Sequence, residues 1–214
     1  FGMRRMPMET GYFEAYNRDN VRLVSLLDTP IERITRTGLQ TSEESFDFDV
    51  LVYATGFDVM TGAFDKIDIR GADGQKLKEK WQGSPTTYLG VMVNGFPNML
   101  MVAGPQSVSG STNYPRAIEV CVDWIGALLE HARTAGLSRL EADVDAENTW
   151  TQEVIDMQEA MPFSKVKSWF TGFNANVQAA DAAPRYIAYW GGAPRYTKIL
   201  NRVASEGFRD INMD

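Results

Sequence analysis

Apolar positions along this chain follow two different rhythms. In the first half they form short blocks bounded by turn residues. Residues 21–27 stop at Asp28-Thr29-Pro30, Ile34 and Leu39 flank Thr37-Gly38, and residues 48–54 end at Thr55-Gly56. Blocks of this length predict strands, and the nearly unbroken run 48–54 predicts one buried on both faces of a parallel-type sheet. Asp73-Gly74 marks the tip of an expected exposed hairpin, and residues 99–103 read as a further buried strand. The second half turns to helical spacing. After Pro115, the residues Ile118, Cys121, Val122, Ile125, Leu128, Leu129 and Ala132 share a face until Gly136. Trp150, Val154, Met157 and Met161 make a second stripe ended by Pro162, and Tyr196, Ile199, Leu200 and Val203 a third between Pro194 and Gly207. The expected class is α/β with a helical insert over residues 116–171.

Between the strand at 99–103 and the helix after Pro115 lies GPQSVSGSTNYP, a long polar loop. Loops of this length inside a compact domain are uncommon and often functional, and in open α/β sheets ligands sit beyond the C-terminal ends of strands.

Charge narrows the partners. The 21 basic and 28 acidic side chains leave a net charge of −7, with no Lys/Arg run to follow a phosphate backbone, so nucleic acid is not an expected partner. The apolar runs are strand-sized, so no membrane is expected either. A single cysteine, Cys121, excludes an internal disulfide, and a single histidine, His131, cannot assemble a zinc site; a reducing, cytoplasmic setting is expected. His131 lies off the apolar stripe and reads as a surface residue. The start at Phe1-Gly2-Met3, without a signal peptide, reads as mid-protein.

The chain holds no GxGxxG, no GxxxxGK and no GxSxG. Local chemistry reduces to the Arg4-Arg5 pair, the hydroxyl-rich loop 106–113 and the aromatic stretch around Trp169. Taken by themselves, Arg4-Arg5 is either a solvated pair or an anion site, Thr55-Gly56 either a turn or a close approach to a cofactor, and Trp169 either a core aromatic or a lid.

In their order along the chain, FGMRRMPMETGYFEAYNRDNVRLV, FDVLVYATGFDVMTGAFDKIDIRGADGQKLKEKWQGSPTTYLGVMVNGFPNMLMVAGPQS, VDWI, SWFTGFN and YIAYWGGAPRY resemble the C-terminal part of a class B flavin monooxygenase of the type I Baeyer–Villiger kind. The resemblance covers essentially the whole chain. It implies a two-dinucleotide-binding-domain flavoprotein using FAD and NADPH, in which a flavin C4a-peroxide adds to a ketone and an ester or lactone results. Both Gly-rich turns would lie upstream, so the missing N-terminal FAD/NADPH-binding portion is a partner, and this chain alone is expected to be inactive. Residues 1–20 would end the NADPH-binding domain, 21–115 return to the FAD-binding domain with a β excursion, 116–171 form the helical region, and 172–214 cover the active site.

The resemblance also implies roles for single residues. Arg5 becomes the catalytic arginine beside flavin and nicotinamide, since a permanent cation with fixed donors holds an anionic oxygen. Arg4 favours the 2′-phosphate of NADPH. Thr55, Gly56, Gly104, Pro105, Asn113 and Tyr114 contact the cofactor, and Ser109, Gly110 and Ser111 face the substrate. Trp169 closes over NADP and substrate, its indole offering a flat face and one donor. Two departures bear on specificity. Tyr114 stands where several relatives carry Met, and GFNANVQAADAAPRY replaces the common GANxPGK, as in the subgroup acting on large-ring or bulky ketones. Nitrogen or sulfur oxidation by the same class is the rival activity, and a non-catalytic binding domain the alternative of another kind.

Overall fold

Two units make up the computed structural model, residues 8–56 and residues 57–214. The structure describes residues 8–58, 60–107, 112–162, 164–173 and 182–214. Arg4, Arg5, Ser109, Gly110 and Ser111 lie outside the described residues.

In the smaller unit a short helix α1 (Tyr12–Ala15) precedes three antiparallel strands, β1 (Ile31–Ile34), β2 (Gly38–Thr41) and β3 (Ser45–Asp47), in the order β1-β2-β3. The Thr35 N–H donates to Gly38 O at 2.9 Å, and Ile34 pairs with Leu39. This is the expected antiparallel excursion. The two neighbouring strand expectations are corrected. Residues 21–27 form no strand but run irregularly into a turn at 26–28, with Leu27 97% exposed, and residues 48–54 form no strand either, with Val52 77% exposed. A strand buried on both faces needs ladder partners at both edges and cover on both sides. Among the described residues of this unit the pairing goes past Asp47 by one bond, from the Phe48 N–H to Thr37 O at 2.8 Å, and the run beyond is mostly exposed.

The larger unit begins with two single-turn helices, α2 (Gly62–Asp65) and α3 (Leu77–Lys80). The expected hairpin survives only at its tip, where Gly74 has φ 77° and a lone bridge joins Arg70 to Lys76. Its second arm coils into the turn of α3, where the Lys80 N–H donates to Lys76 O at 3.0 Å and the Trp81 N–H to Leu77 O at 2.9 Å, with Leu77 and Trp81 both buried. Residues 99–103 are also not a strand. The Met101 N–H donates to Val91 O at 2.8 Å, and Ala103 turns away at φ 52°.

The helical half follows its sequence signals closely. Asn113 caps α4 (Tyr114–Ala135) by accepting the Arg116 N–H at 3.2 Å, Pro115 fills the first turn, and Gly136 ends it at φ 73°. Asp143 caps α5 (Val144–Glu159), and α6 (Ala193–Ser205) stops before a left-handed Gly207. The inward face of α4 is Ala117, Cys121, Trp124, Leu128 and Ala132. Trp124 Nε1 donates to Leu200 O of α6 at 3.0 Å, which sets the rotation of α4 and leaves the expected core residues Ile118, Val122 and Leu129 exposed. Trp150 and Val154 are buried as expected, with Trp150 stacked on Tyr189 at 4.9 Å. Two strands that the sequence did not announce, β4 (Leu140–Ala142) and β5 (Ile211–Met213), pair antiparallel. The class is therefore mixed α and β, but both sheets among the described residues are small and antiparallel. His131 is exposed, and burial pushes the Cys121 thiol up. Among the described residues no helix is long and apolar enough to cross a membrane.

Candidate functional site

The polar loop starts from a platform built by residues 88–92. Leu89 and Gly90 are consecutive left-handed residues, φ 56° and 68°, and the Tyr88 N–H donates to Met92 O at 2.8 Å, closing a tight hairpin of the primed kind. Leucine avoids this conformation, and here it is held from α6, where the Tyr196 hydroxyl donates to Leu89 O at 2.6 Å. Burial pushes the Tyr196 phenol well up, so it stays a neutral donor. Tyr88 is likewise pushed up, by burial first and then by its hydrogen bond to Asp210 at 2.7 Å.

The loop root rests on this turn. Gly104 N–H donates to Gly90 O at 3.1 Å, and a Cβ on Gly104 would lie 2.7 Å from that oxygen. A Cβ on Gly90 would lie 2.5 Å from the Ser107 backbone nitrogen. Gly90→Ala therefore combines left-handed strain with a backbone clash and is expected to cost about 3 kcal/mol. Chemical denaturation checks this through a lower midpoint at unchanged slope.

Gly104 and Pro105 are buried within the chain, where Pro105 O accepts the Thr87 hydroxyl at 3.1 Å. Asn113 and Tyr114 stand beyond residues 108–111, at the start of α4. Asn113 lines a cavity of about 410 Å³ with Thr112, Arg116, Pro194, Tyr196 and Thr197, between the first turns of α4 and α6. Tyr114 Oη lies 3.8 Å from Met60 Sδ. The positive end of the 22-residue helix α4 faces this cavity and Arg116 is among its lining residues, which suits an anionic or electron-rich group. Arg116 was not singled out by sequence, although a signal exists. A cation in the first turn of a helix opposes the macrodipole unless a negative group lies near.

Trp169 opens a 3-10 turn, Trp169–Thr171, and is 46% exposed. Ser168 Oγ accepts the Phe170 N–H at 3.0 Å, Thr171 Oγ1 accepts the Ser168 N–H at 3.0 Å, and Thr171 O accepts the Arg185 N–H at 2.8 Å. The indole is thus presented to solvent from a firmly pinned turn. In the smaller unit, Thr55 and Gly56 are exposed and Gly56 is left-handed at φ 84°.

No family model matches the chain. Cyclopentanone 1,2-monooxygenase of Comamonas sp. (strain NCIMB 9872) is 35% identical over 213 residues, covering 100% of this chain and 38% of its own length. A crystal structure of OTEMO in complex with FAD and NADP superposes with a TM-score of 0.84 at 34% identity, covering 100% of this chain and 38% of the other. A Baeyer–Villiger monooxygenase of Pseudooceanicola batsensis is 33% identical over 204 residues, covering 95% of this chain and 36% of its own length. Another relative is phenazine N-monooxygenase PhzNO1 of Lysobacter antibioticus, 39% identical over 209 residues, covering 96% of this chain and 38% of its own length. The chain thus spans about two fifths of the length of the curated relatives it matches.

Proposed function

We propose that this chain is the C-terminal portion of an NADPH- and FAD-dependent Baeyer–Villiger monooxygenase, which inserts one oxygen atom of O2 beside a ketone carbonyl to give an ester or lactone. The observation that carries the reading is the match of the whole chain, at similar identity, to a ketone monooxygenase and to a fold that holds FAD and NADP. The departure at residues 172–186 favours cyclic or bulky ketones, and Tyr114 gives the pocket a different shape. The rest of the protein would bring the Gly-rich turns.

The cavity at the start of α4 fits an isoalloxazine edge. Asn113 and the first turn of α4 would hold the electron-rich part of a reduced flavin, with Arg116 supplying a cation at the same cavity. Bound there, flavin supplies hydride acceptance from NADPH and activation of O2. The chain's own residues bind and orient. Asn113, Tyr114, Gly104, Pro105, Thr55 and Gly56 are assigned to the cofactor, Arg4 to the NADPH 2′-phosphate, and Ser109, Gly110 and Ser111 to the ketone. Arg5 holds negative charge on the attacking oxygen. Trp169, exposed on its pinned turn, closes over NADP and ketone. For Trp169→Ala the expected outcome is an NADPH KM raised about tenfold with FAD content unchanged. Steady-state kinetics beside the flavin spectrum check it, and an unchanged NADPH KM removes the lid role.

Oxidation of nitrogen is the second reading, favoured by the relative that is a phenazine N-monooxygenase. Supplying a cyclic ketone, a heteroaromatic amine and a sulfide in parallel separates the two. A lactone from the ketone supports the proposal, while an N-oxide or sulfoxide as the sole product supports the second reading.

A further inference from the structure

Gln106 differs from its neighbours at the loop root. Its side chain is fully buried and its backbone is left-handed, at φ 65°. A residue with a Cβ stays in that region only when its surroundings over-determine it, and such outliers gather at functional sites.

The surroundings come from three separate stretches of chain. Gln106 N–H donates to Ile187 O at 2.9 Å, and Nε2 donates to Pro85 O at 2.7 Å. Oε1 faces the Thr87 N–H at 3.0 Å, the Thr87 hydroxyl at 3.0 Å and the Thr151 hydroxyl of α5 at 3.2 Å. A carbonyl oxygen accepts two bonds well, and the single Thr87 hydroxyl proton also has Pro105 O within reach at 3.1 Å. Giving that proton to Pro105 leaves Oε1 with the Thr87 N–H and the Thr151 hydroxyl, so donors and acceptors match. The next residue is tied as well, since Ser107 O accepts the Tyr189 N–H at 2.8 Å and Ser107 Oγ donates to Gly104 O at 2.6 Å.

We propose that Gln106 is a positioning residue, which locks its own left-handed backbone to residues 85–87, to α5 and to residues 187–189. It thereby sets the direction in which the chain leaves Ser107 toward Asn113 and the cavity at the start of α4. The role rests on the reading above, in which the segment after Ser107 lines flavin and ketone. Gln106 itself is buried and acts through the backbone that follows it in sequence.

The test uses Gln106→Met in the complete flavoprotein, because Met keeps the length of the side chain and deletes the polar network. FAD is expected to remain bound, with NADPH consumption within about twofold of the parent. The share of NADPH that ends as hydrogen peroxide rises about threefold or more, and the ketone KM rises while the NADPH KM does not. Without any ketone present, backbone amides from Ser107 to Tyr114 exchange about tenfold faster, while the buried faces of α4 and α6 exchange as before. Unchanged peroxide share and unchanged exchange in that segment overturn the proposal, whatever the melting temperature does. Thr151→Val removes only the contact from α5. If Gln106→Met does not fold, the same two readouts on Thr151→Val decide, with smaller shifts in the same directions expected. A parent enzyme that makes no ester or lactone sinks ketone oxygenation instead, and the exchange comparison then decides the role of Gln106 alone.

Discussion

Lys80→Ala is expected to destabilise the 57–214 unit by about 3–5 kcal/mol, because it strands a buried carboxylate. Lys80 Nζ lies 2.8 Å from Glu147 Oε1, and their side chains are 17% and 3% exposed. The same ammonium donates to Asn94 O at 2.8 Å, and Glu147 Oε2 accepts the Asn94 N–H at 2.5 Å. Asn94 Nδ2 in turn donates to Ala142 O at 2.9 Å, and Gly95 N–H to Glu141 Oε1 at 2.8 Å. The pair therefore clamps the corner at residues 94–95 against β4 and α5. Glu147 sits on α5, the helix whose Thr151 reaches Gln106, so loss of the clamp also loosens the support of the loop root. Urea denaturation checks this: the midpoint falls for Lys80→Ala, whereas Arg133→Ala, which breaks an exposed pair with Glu130, leaves it in place. Equal midpoints for Lys80→Ala and the parent would show that water reaches Glu147 freely.

For Arg5→Ala in the complete protein, ketone oxygenation is expected to fall about 100-fold or more while FAD stays bound and NADPH is still oxidised. Arginine stays charged at every working pH and offers several fixed donors, so in the proposed role Arg5 would stabilise negative charge on the oxygen that attacks the carbonyl without giving up a proton itself. Removing it leaves that charge without its partner only on the way to product, so NADPH oxidation continues and reduced oxygen leaves as hydrogen peroxide. Product yield and peroxide, measured together per NADPH, give the result. Ester formation at the parental rate would remove Arg5 from catalysis.

The parts of the fold that could be read in advance are those specified by local chemistry. Asn113, Pro115 and Gly136 bracket α4, and Pro194 and Gly207 bracket α6, because a cap, a ring-fixed φ and a left-handed stop act within one turn of the helix end. The antiparallel excursion at residues 31–47 was readable for the same reason. Burial was harder to read. Ile118, Val122 and Leu129 share a helical stripe with Cys121 and Leu128, and the packing of α4 against Tyr196, Leu200 and Phe208, with the bond from Trp124 to Leu200 O, goes with the Cys121 side turned inward. Residues 48–54 have a strand's composition, but composition supplies no partner. The pairing of β4 with β5 joins positions too far apart for any local pattern to register.

The candidate site divides along the same line. Asn113 and Tyr114 read from sequence as the end of the polar loop, whereas Asn113 caps α4 and Tyr114 is its first residue, and Asn113 lines the cavity there. Gly104 was expected to make room for a cofactor, yet its missing Cβ also makes room for Gly90 O. Gln106 passed unnoticed in sequence because its meaning depends on Pro85, Thr87, Thr151 and Ile187, all distant along the chain.

The most direct test supplies the complete protein that carries this chain with NADPH, isotopically heavy O2 and a bulky cyclic ketone, and follows both the flavin spectrum and the mass of the product. The account predicts bound FAD and a lactone with one heavy oxygen atom in its ring. A protein without flavin, or a flavoprotein that consumes NADPH but leaves every ketone intact and transfers the heavy oxygen only to nitrogen or sulfur, would contradict it.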